Sequence, residues 1–102
     1  MDCQTTNVVY RLKCKRCPPW VYIGETSRRL TDRLAEHRGY ISRKMNNAIG
    51  QHFNQKGHQI TDLEAIPIER VFPTDCALTR KRREKYWISQ YDSVAFGANI
   101  RE

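Results

Sequence analysis

Long apolar runs, internal repeats and low-complexity tracts are absent from this sequence of 102 residues. No apolar run has the length that a transmembrane helix needs, which argues against a membrane partner. The opening residues, MDCQTTNVVY, lack the basic-then-apolar order of a signal peptide, so we expect an intracellular protein, nuclear if its host is eukaryotic. The length predicts a single domain over residues 1–102 with one main site.

Basic residues outnumber acidic residues, so the chain is strongly basic. It has 18 Lys and Arg residues against 11 Asp and Glu residues, which gives a formal net charge of +7. Such a charge suits a polyanionic partner. Because no basic amphipathic helix dominates the chain, we expect nucleic acid rather than a membrane surface.

Three segments have the alternating pattern of strands. Residues 7–13 and 21–26 predict an antiparallel hairpin, with residues 14–19 as its connecting loop. Residues 63–71, LEAIPIERV, predict a third strand, in which Pro67 indicates an edge position or a bulge.

The segment TSRRLTDRLAEHR predicts the first helix. We expect Thr26 or Ser27 to cap it and Gly39 to lie near its end. Arg33 and His37 are four residues apart, which places them on one helix face. They are either the ordinary polar face of a helix or part of a site.

The segment NAIGQHFNQKG predicts a second, shorter helix, with Asn46 or Asn47 as its cap and Gly57 as its terminator. A longer third helix follows the last strand, so the order of elements is β-β-α-α-β-α. This order predicts an α/β (α+β) fold with a small central antiparallel three-stranded sheet flanked by helices.

The third helix, capped by Thr74 or Asp75, places Glu84 on a stripe otherwise formed by the apolar residues Ala77, Ile88 and Tyr91. Burial of an unpaired carboxylate is costly, so a metal ion or an arginine should lie beside it. The alternative is a surface pair with Arg80 or Lys81.

Two of the four cysteines, Cys14 and Cys17, form a CxxC in the hairpin loop, whereas Cys3 and Cys76 stand alone. In an intracellular protein a CxxC indicates metal binding or redox chemistry. A redox CxxC should open a helix, and this one leads into a strand. Metal binding is therefore the better interpretation, with a pair of inert thiols as the alternative.

Several short motifs together resemble the GIY-YIG endonuclease family. VVY and YIG correspond to the paired motif of the family's name, although Val8 and Val9 replace its Gly and Ile. RRLTDRLAEH, REKYWI and GANI follow in the family's order. The matching residues are Tyr10, Tyr22, Arg33, His37, Glu84 and Asn99. Without this order, the two tyrosines would be ordinary strand residues.

The resemblance implies catalysis by one divalent cation, Mg²⁺ or Mn²⁺, held by Glu84. Tyr10 would act on the attacking water, as general base or by orienting it, and Tyr22 would help to order that water. Arg33 would clamp the scissile phosphate and lower the pKa of Tyr10. His37 would donate to the phosphate or relay a proton, and Asn99 would hold substrate or metal-bound water. The products would be a 5′ phosphate and a 3′ hydroxyl.

Within that family the chain looks most like the endonuclease domain of Penelope-like retroelements. The resemblance implies a structural Zn²⁺ bound by Cys14, Cys17, His52 and His58, which would tie the hairpin loop to the second helix. It also implies excision from a longer polyprotein that carries a reverse transcriptase, for which the 3′ hydroxyl would be a primer.

The substrate would be DNA, met by a monomer or a transient dimer. Candidate DNA contacts are Gly24, Arg28, Arg29, Lys44 and Arg83, although a charge run such as RKRREK is more often a solvated helix face. Trp20 and Trp87 should pack in the core rather than stack on bases. Two other functions stay open, a zinc-stapled module that binds nucleic acid without cutting it and a structure-specific repair nuclease of the same fold.

Overall fold

A computed structural model describes residues 1–17, 20–72 and 76–91. Its centre is a three-stranded antiparallel sheet in the order β2-β1-β3. The strands are β1 (Val8–Cys14), β2 (Val21–Thr26) and β3 (Leu63–Arg70). The predicted fold class, strand order along the chain and antiparallel pairing are confirmed.

The helices are α1 (Leu30–Ser42), α2 (Ala48–Phe53) and α3 (Ala77–Tyr91), and a 3₁₀ turn, Ile60–Asp62, precedes β3. None of the helices in the described ranges is long and apolar enough to cross a membrane. The sequence pattern does not predict the 3₁₀ turn. Gln59 and Asp62 cap it reciprocally, each side chain accepting a hydrogen bond from the backbone of the other residue.

The central strand β1 is largely buried on both faces of the sheet because helices cover each face. Alternate residues of β1 point to opposite sides, so Val8 and Tyr10 pack against α1 and α2 while Val9 packs against α3. All three of these side chains are fully buried. The sheet therefore positions residues from α1 and from α3 around one central strand.

The first helix differs from its prediction at both ends. It begins at Leu30 after Arg29, which makes no side-chain cap, because Thr26 is still paired with Val8 in the hairpin. It also continues past Gly39 to Ser42, since Ile41 is buried in the core. Burial of that side chain outweighs the cost of about 1 kcal/mol for glycine in a helix.

The other boundaries follow local chemistry. Asn47 caps α2, its Oδ1 accepting from the Gly50 N–H at 2.8 Å, as one of the two predicted caps. The helix ends at Phe53 rather than Gly57, which instead takes a positive φ of 86° in the following turn. Pro67 lies on an edge strand beside a register shift opposite Val9 and Tyr10, as predicted. Thr74 and Asp75 lie outside the described residues.

Candidate active site

A cavity of about 310 Å³ lies where β2 forms an edge of the sheet and the helices from its two faces meet. It is lined by Tyr10 of β1, by Tyr22, Gly24, Glu25, Thr26, Ser27 and Arg28 on and after β2, by Arg33 of α1, and by Arg80, Lys81 and Glu84 of α3. Four of these side chains are cationic and two are carboxylates. The excess of positive charge suits a phosphodiester group.

Gly24 makes room for the Tyr10 ring inside this cavity. The two residues face each other across the β1–β2 ladder. A Cβ atom at Gly24 would lie 2.4 Å from Tyr10 Cζ and Oη, far inside van der Waals contact. Gly24, predicted as a DNA contact, therefore lines the cavity and also leaves space for the Tyr10 ring.

The Tyr10 hydroxyl is held by two residues of α1. It lies 2.8 Å from His37 Nε2 and accepts a hydrogen bond from Arg33 Nε at 3.3 Å. Arg33 is fixed in turn by Glu36 and by the Tyr40 hydroxyl, at 3.1 and 3.2 Å. The prediction that Arg33 and His37 share one helix face is confirmed.

The tautomer of His37 follows from its burial. Only 1% of its surface is exposed, and Nδ1 has no hydrogen-bond partner in the described part of the chain. Since an orphaned buried N–H is costlier than an unused lone pair, we assign the proton to Nε2, which donates to Tyr10 Oη. Tyr10 then accepts two N–H groups, which leaves its own proton for the cavity.

Burial also sets the protonation of these groups. It raises the pKa of Tyr10 well above the ordinary value of 10, with Arg33 acting in the opposite direction. The pKa of Tyr22 is raised for the same main reason. Burial, assisted by Arg33, lowers the pKa of His37 to about 4. Arg33 lowers the pKa of Tyr10 as expected, but desolvation of the phenol outweighs this effect, so the net shift of the pKa is upward.

The two cavity carboxylates have different surroundings. Glu25 accepts from Arg80 Nε at 2.8 Å and pairs with Lys81 Nζ at 3.2 Å. Glu84 lies 4.0 Å from Lys81 Nζ, and 18% of its side-chain surface is exposed. Its proximity raises the pKa of Lys81. The predicted partial burial of Glu84 is confirmed, and Lys81, one of its two proposed partners, pairs with it.

The apolar stripe of α3 differs in one position from its prediction. Ala77 is exposed, and Arg80 takes the buried place one turn before Glu84. Arg80 reaches Glu25 and Asn7, residues 55 and 73 positions away in the sequence. The sequence carried one signal for it, the four-residue spacing from Glu84, which was interpreted as a surface pair.

The remaining predicted DNA contacts are spread over the molecule. Arg28 lines the cavity and pairs with Glu36. Arg29 pairs with Asp32, and Lys44 is exposed on the turn after α1. Arg83 is directed to Glu69 on β3, 2.9 Å away, and does not line the cavity. His37 also lies behind Tyr10 rather than at the cavity wall, and Asn99 lies outside the described residues.

A second cluster joins Cys14 and Cys17 of the hairpin to His52 of α2 and to His58. One possible ligand atom from each residue lies within 4.8 Å of all the others. His52 Nε2 is buried without a hydrogen-bond partner in the described ranges. A closed set of two sulfur and two nitrogen donors with an orphaned nitrogen fits tetrahedral Zn²⁺.

Neighbouring residues hold this cluster in place. Trp20 stacks on the His52 ring with centroids 4.2 Å apart. Arg16 of the same loop donates to Asp62 at 2.7 Å, four residues after His58. Trp87 packs against the core on the α3 side and donates to Glu69 at 2.8 Å. Both tryptophans therefore serve packing, as predicted.

Comparison with known proteins adds the family to this geometry. The family model of the GIY-YIG catalytic domain matches residues 6–99. The chain belongs to the GIY-YIG family. A solved structure described as the catalytic domain of the homing endonuclease I-TevI is similar to this GIY-YIG domain, with a TM-score of 0.78 and 20% identity over 95% of this chain and 100% of that chain. No curated protein matches the sequence.

Family membership makes this GIY-YIG domain an enzyme, a DNA endonuclease that hydrolyses phosphodiester bonds. The likeness to I-TevI bears on the fold alone, and it agrees with the sheet and helices described above. The resemblance noted in the sequence is confirmed at the level of the family.

Proposed function

We propose that this GIY-YIG domain is a divalent-metal-dependent endonuclease that nicks one strand of DNA and leaves a 5′ phosphate and a 3′ hydroxyl. The observation that carries the proposal is the convergence of Tyr10, Tyr22 and Arg33 from one side and Glu84 from the other on one basic cavity. A single cavity of this kind supports one cut for each binding event of a monomer. Two cuts in one event would need a transient dimer.

Arg33 binds the scissile phosphate in this proposal. Its guanidinium is always charged, lies at the cavity wall and is oriented by Glu36 and Tyr40. A fixed cation stabilises the negative charge that develops on the phosphorus oxygens during attack by water.

Tyr10 orients the attacking water, and Tyr22 assists it. Because burial keeps Tyr10 a phenol near neutral pH, orientation fits the structure better than proton abstraction. The two N–H groups from His37 and Arg33 occupy the lone pairs of Tyr10 Oη and direct its hydrogen toward the cavity. Neutral His37 thereby positions Tyr10 without contacting the phosphate.

Glu84 would hold the catalytic cation, Mg²⁺ or Mn²⁺. A partly exposed carboxylate in a basic cavity is the oxygen donor that these hard ions prefer. When bound, such an ion supplies positive charge at the scissile phosphate and its leaving oxygen. Asn99 is proposed to hold substrate or metal-bound water, and this proposal rests only on its place in the terminal motif.

We further propose that Cys14, Cys17, His52 and His58 bind a structural Zn²⁺. The supporting observations are their shared proximity and the orphaned His52 nitrogen. The ion would connect the hairpin loop to α2.

The same cysteine and histidine pattern supports the assignment to Penelope-like retroelements. In that case residues 1–102 are one domain of a longer intracellular polyprotein, nuclear in a eukaryote. A reverse transcriptase in the same polyprotein would extend the 3′ hydroxyl left by the nick.

The deciding experiment is conversion of supercoiled plasmid to open circles in Mg²⁺ or Mn²⁺. We expect the parent to nick and Glu84→Gln to lose at least about 100-fold in rate. Glu64→Gln is the matched control, because Glu64 is an exposed carboxylate on β3, the opposite edge of the sheet. Equal rates for the parent and Glu84→Gln would contradict the proposal.

Two further substrates separate the alternatives. Binding of DNA without cleavage of plasmid or of branched DNA would indicate a binding module instead. Cleavage restricted to flaps or junctions would indicate a structure-specific repair nuclease. Analysis of the cut ends by ligation tests the predicted 5′ phosphate and 3′ hydroxyl.

A further inference from the structure

Arg80 is a buried cation for which the proposed mechanism has no use. Only 8% of its surface is exposed, although it lies in a run of charged residues on α3. Removal of a guanidinium from water costs several kcal/mol unless it is paired and hydrogen-bonded. The groups around Arg80 must therefore compensate for its burial.

One half-buried acceptor, Glu25, and one buried acceptor, Asn7, fix the Arg80 guanidinium. Its Nε donates to Glu25 Oε2 at 2.8 Å, and its Nη1 donates to Asn7 Oδ1 at 3.0 Å. Asn7 is itself held in place, with 4% exposure, a positive φ of 55° and a carbonyl that accepts from the Val71 N–H at 2.7 Å. A left-handed conformation is uncommon for a residue other than glycine.

The contacts with Glu25 and Asn7 use only two of the three guanidinium nitrogens of Arg80. Arg80 lines the cavity, and its Nη2 makes no hydrogen bond to another residue of the described chain. Glu25 is shared between Arg80 and Lys81, whose Nζ lies 3.2 Å from it. With Glu84 included, the lining of the cavity has four cations and two carboxylates, a net positive charge that suits a phosphate.

The position of Arg80 complements that of Arg33. Arg33 comes from α1 on one face of the sheet, and Arg80 comes from α3 on the other. Both line the same cavity, with Tyr22 and Gly24 of the edge strand also in its lining. A DNA strand that crosses the cavity would meet a guanidinium at each side.

We propose that Arg80 binds a phosphate of the cleaved strand next to the one that Arg33 binds, and that Glu25 and Asn7 hold it ready to do so. This inference rests on the proposed nuclease function. The competing explanation is that Arg80 only docks α3 on the sheet, which predicts a loss of stability without any effect on a particular phosphate.

A paired change in protein and DNA distinguishes the two explanations. The preferred nick of the parent is first mapped on a duplex oligonucleotide with Mg²⁺ or Mn²⁺. Single phosphates flanking that nick are then replaced by neutral methylphosphonates, and kcat/KM is measured for the parent, Arg80→Met and Arg82→Met. Arg82 is an exposed arginine on the same helix and serves as the control.

We expect one flanking methylphosphonate to slow the parent and Arg82→Met roughly 10-fold or more, the effect of a lost charge-assisted hydrogen bond. Arg80→Met should be slow on unmodified DNA and lose less than about 2-fold further at that position, because the contact is already absent. Equal sensitivity of folded Arg80→Met and the parent at every flanking phosphate would overturn the inference.

If Arg80→Met does not fold, Arg80→Lys is judged by the same criterion. Lysine keeps a charge beside Glu25 but lacks the planar fork needed to reach Glu25, Asn7 and a phosphate together. A parent that cuts no DNA overturns the nuclease proposal and this inference with it. If the parent cuts DNA but no flanking phosphate shows a different effect in the parent and in the Arg80 variant, only the role of Arg80 is overturned.

Discussion

Replacement of Gly24 by alanine would place a methyl carbon 2.4 Å from Tyr10 Cζ and Oη. Carbon atoms in contact stay about 3.5–4.0 Å apart, so the ring and the added methyl must separate by about 1 Å or more. The Tyr10 ring is fully buried and belongs to the core cluster, so its displacement would disturb the packing of that core. The change is purely steric, because the backbone at Gly24 does not have the positive φ that favours glycine.

Two measurable losses follow from that displacement. Overpacking of a well-packed site costs about 1–3 kcal/mol in the free energy of unfolding, which urea denaturation measures. The hydrogen bonds from Tyr10 Oη to His37 and Arg33 would also lengthen. Since a shift of about 1 Å at a reacting group costs on the order of 100-fold in rate, plasmid nicking should fall by that factor.

Gly39→Ala is the matched control. A methyl group there would meet only the guanidinium end of Arg43, at 2.9 Å, a flexible side chain that can turn away. Alanine in the interior of α1 should stabilise the fold by about 0.5–1 kcal/mol and leave nicking unchanged. If Gly24→Ala nicked within about 3-fold of the parent at unchanged stability, the packing argument for Tyr10 would fail.

Two further predictions concern His37 and the metal cluster. The pKa of His37 falls from 6.5 in the unfolded chain to about 4 in the folded one. Between these pH values the unfolded state binds one more proton than the folded state. The free energy of unfolding should therefore decrease as the pH drops from 6.5 toward 4. The loss attributable to His37 is about 3 kcal/mol, and His37→Gln should remove that part of the pH dependence in urea titrations; parallel curves for parent and variant would contradict it. For the metal cluster, Cys14→Ser should lose bound zinc, lower the melting temperature and change the fluorescence of Trp20 stacked on His52, whereas Cys76→Ser, outside the cluster, should change none of these. Equal zinc content in the two variants would refute the ligand set.

The sequence predicted the type and order of the helices and strands because apolar periodicity depends on burial, and burial is what the sheet and helices provide. Boundaries were less predictable where local and tertiary preferences conflict. Thr26 is a good helix cap, but its pairing with Val8 keeps it in the hairpin. Gly39 is a typical helix end, but burial of Ile41 carries α1 one turn further.

In the site, too, features set by local spacing were predictable and features set by tertiary packing were not. Arg33 and His37 were predictable together because a four-residue spacing fixes their common face. The protonation of Tyr10 was not, since desolvation depends on how deeply the finished core encloses the ring. Arg80 looked like one more residue of a solvated basic run, because its partners Glu25 and Asn7 are distant in the sequence and become neighbours only when α3 packs against the sheet.

The placement of the cavity along β2 also bears on solubility. Within the described ranges β2 pairs only with β1, and such an open edge invites strands of other molecules to add to it. Here Arg33, Lys81 and Glu84 project around that edge, so the residues proposed for catalysis also discourage self-association. Variants that neutralise the cavity should therefore be compared with the parent by light scattering before a loss of activity is attributed to chemistry.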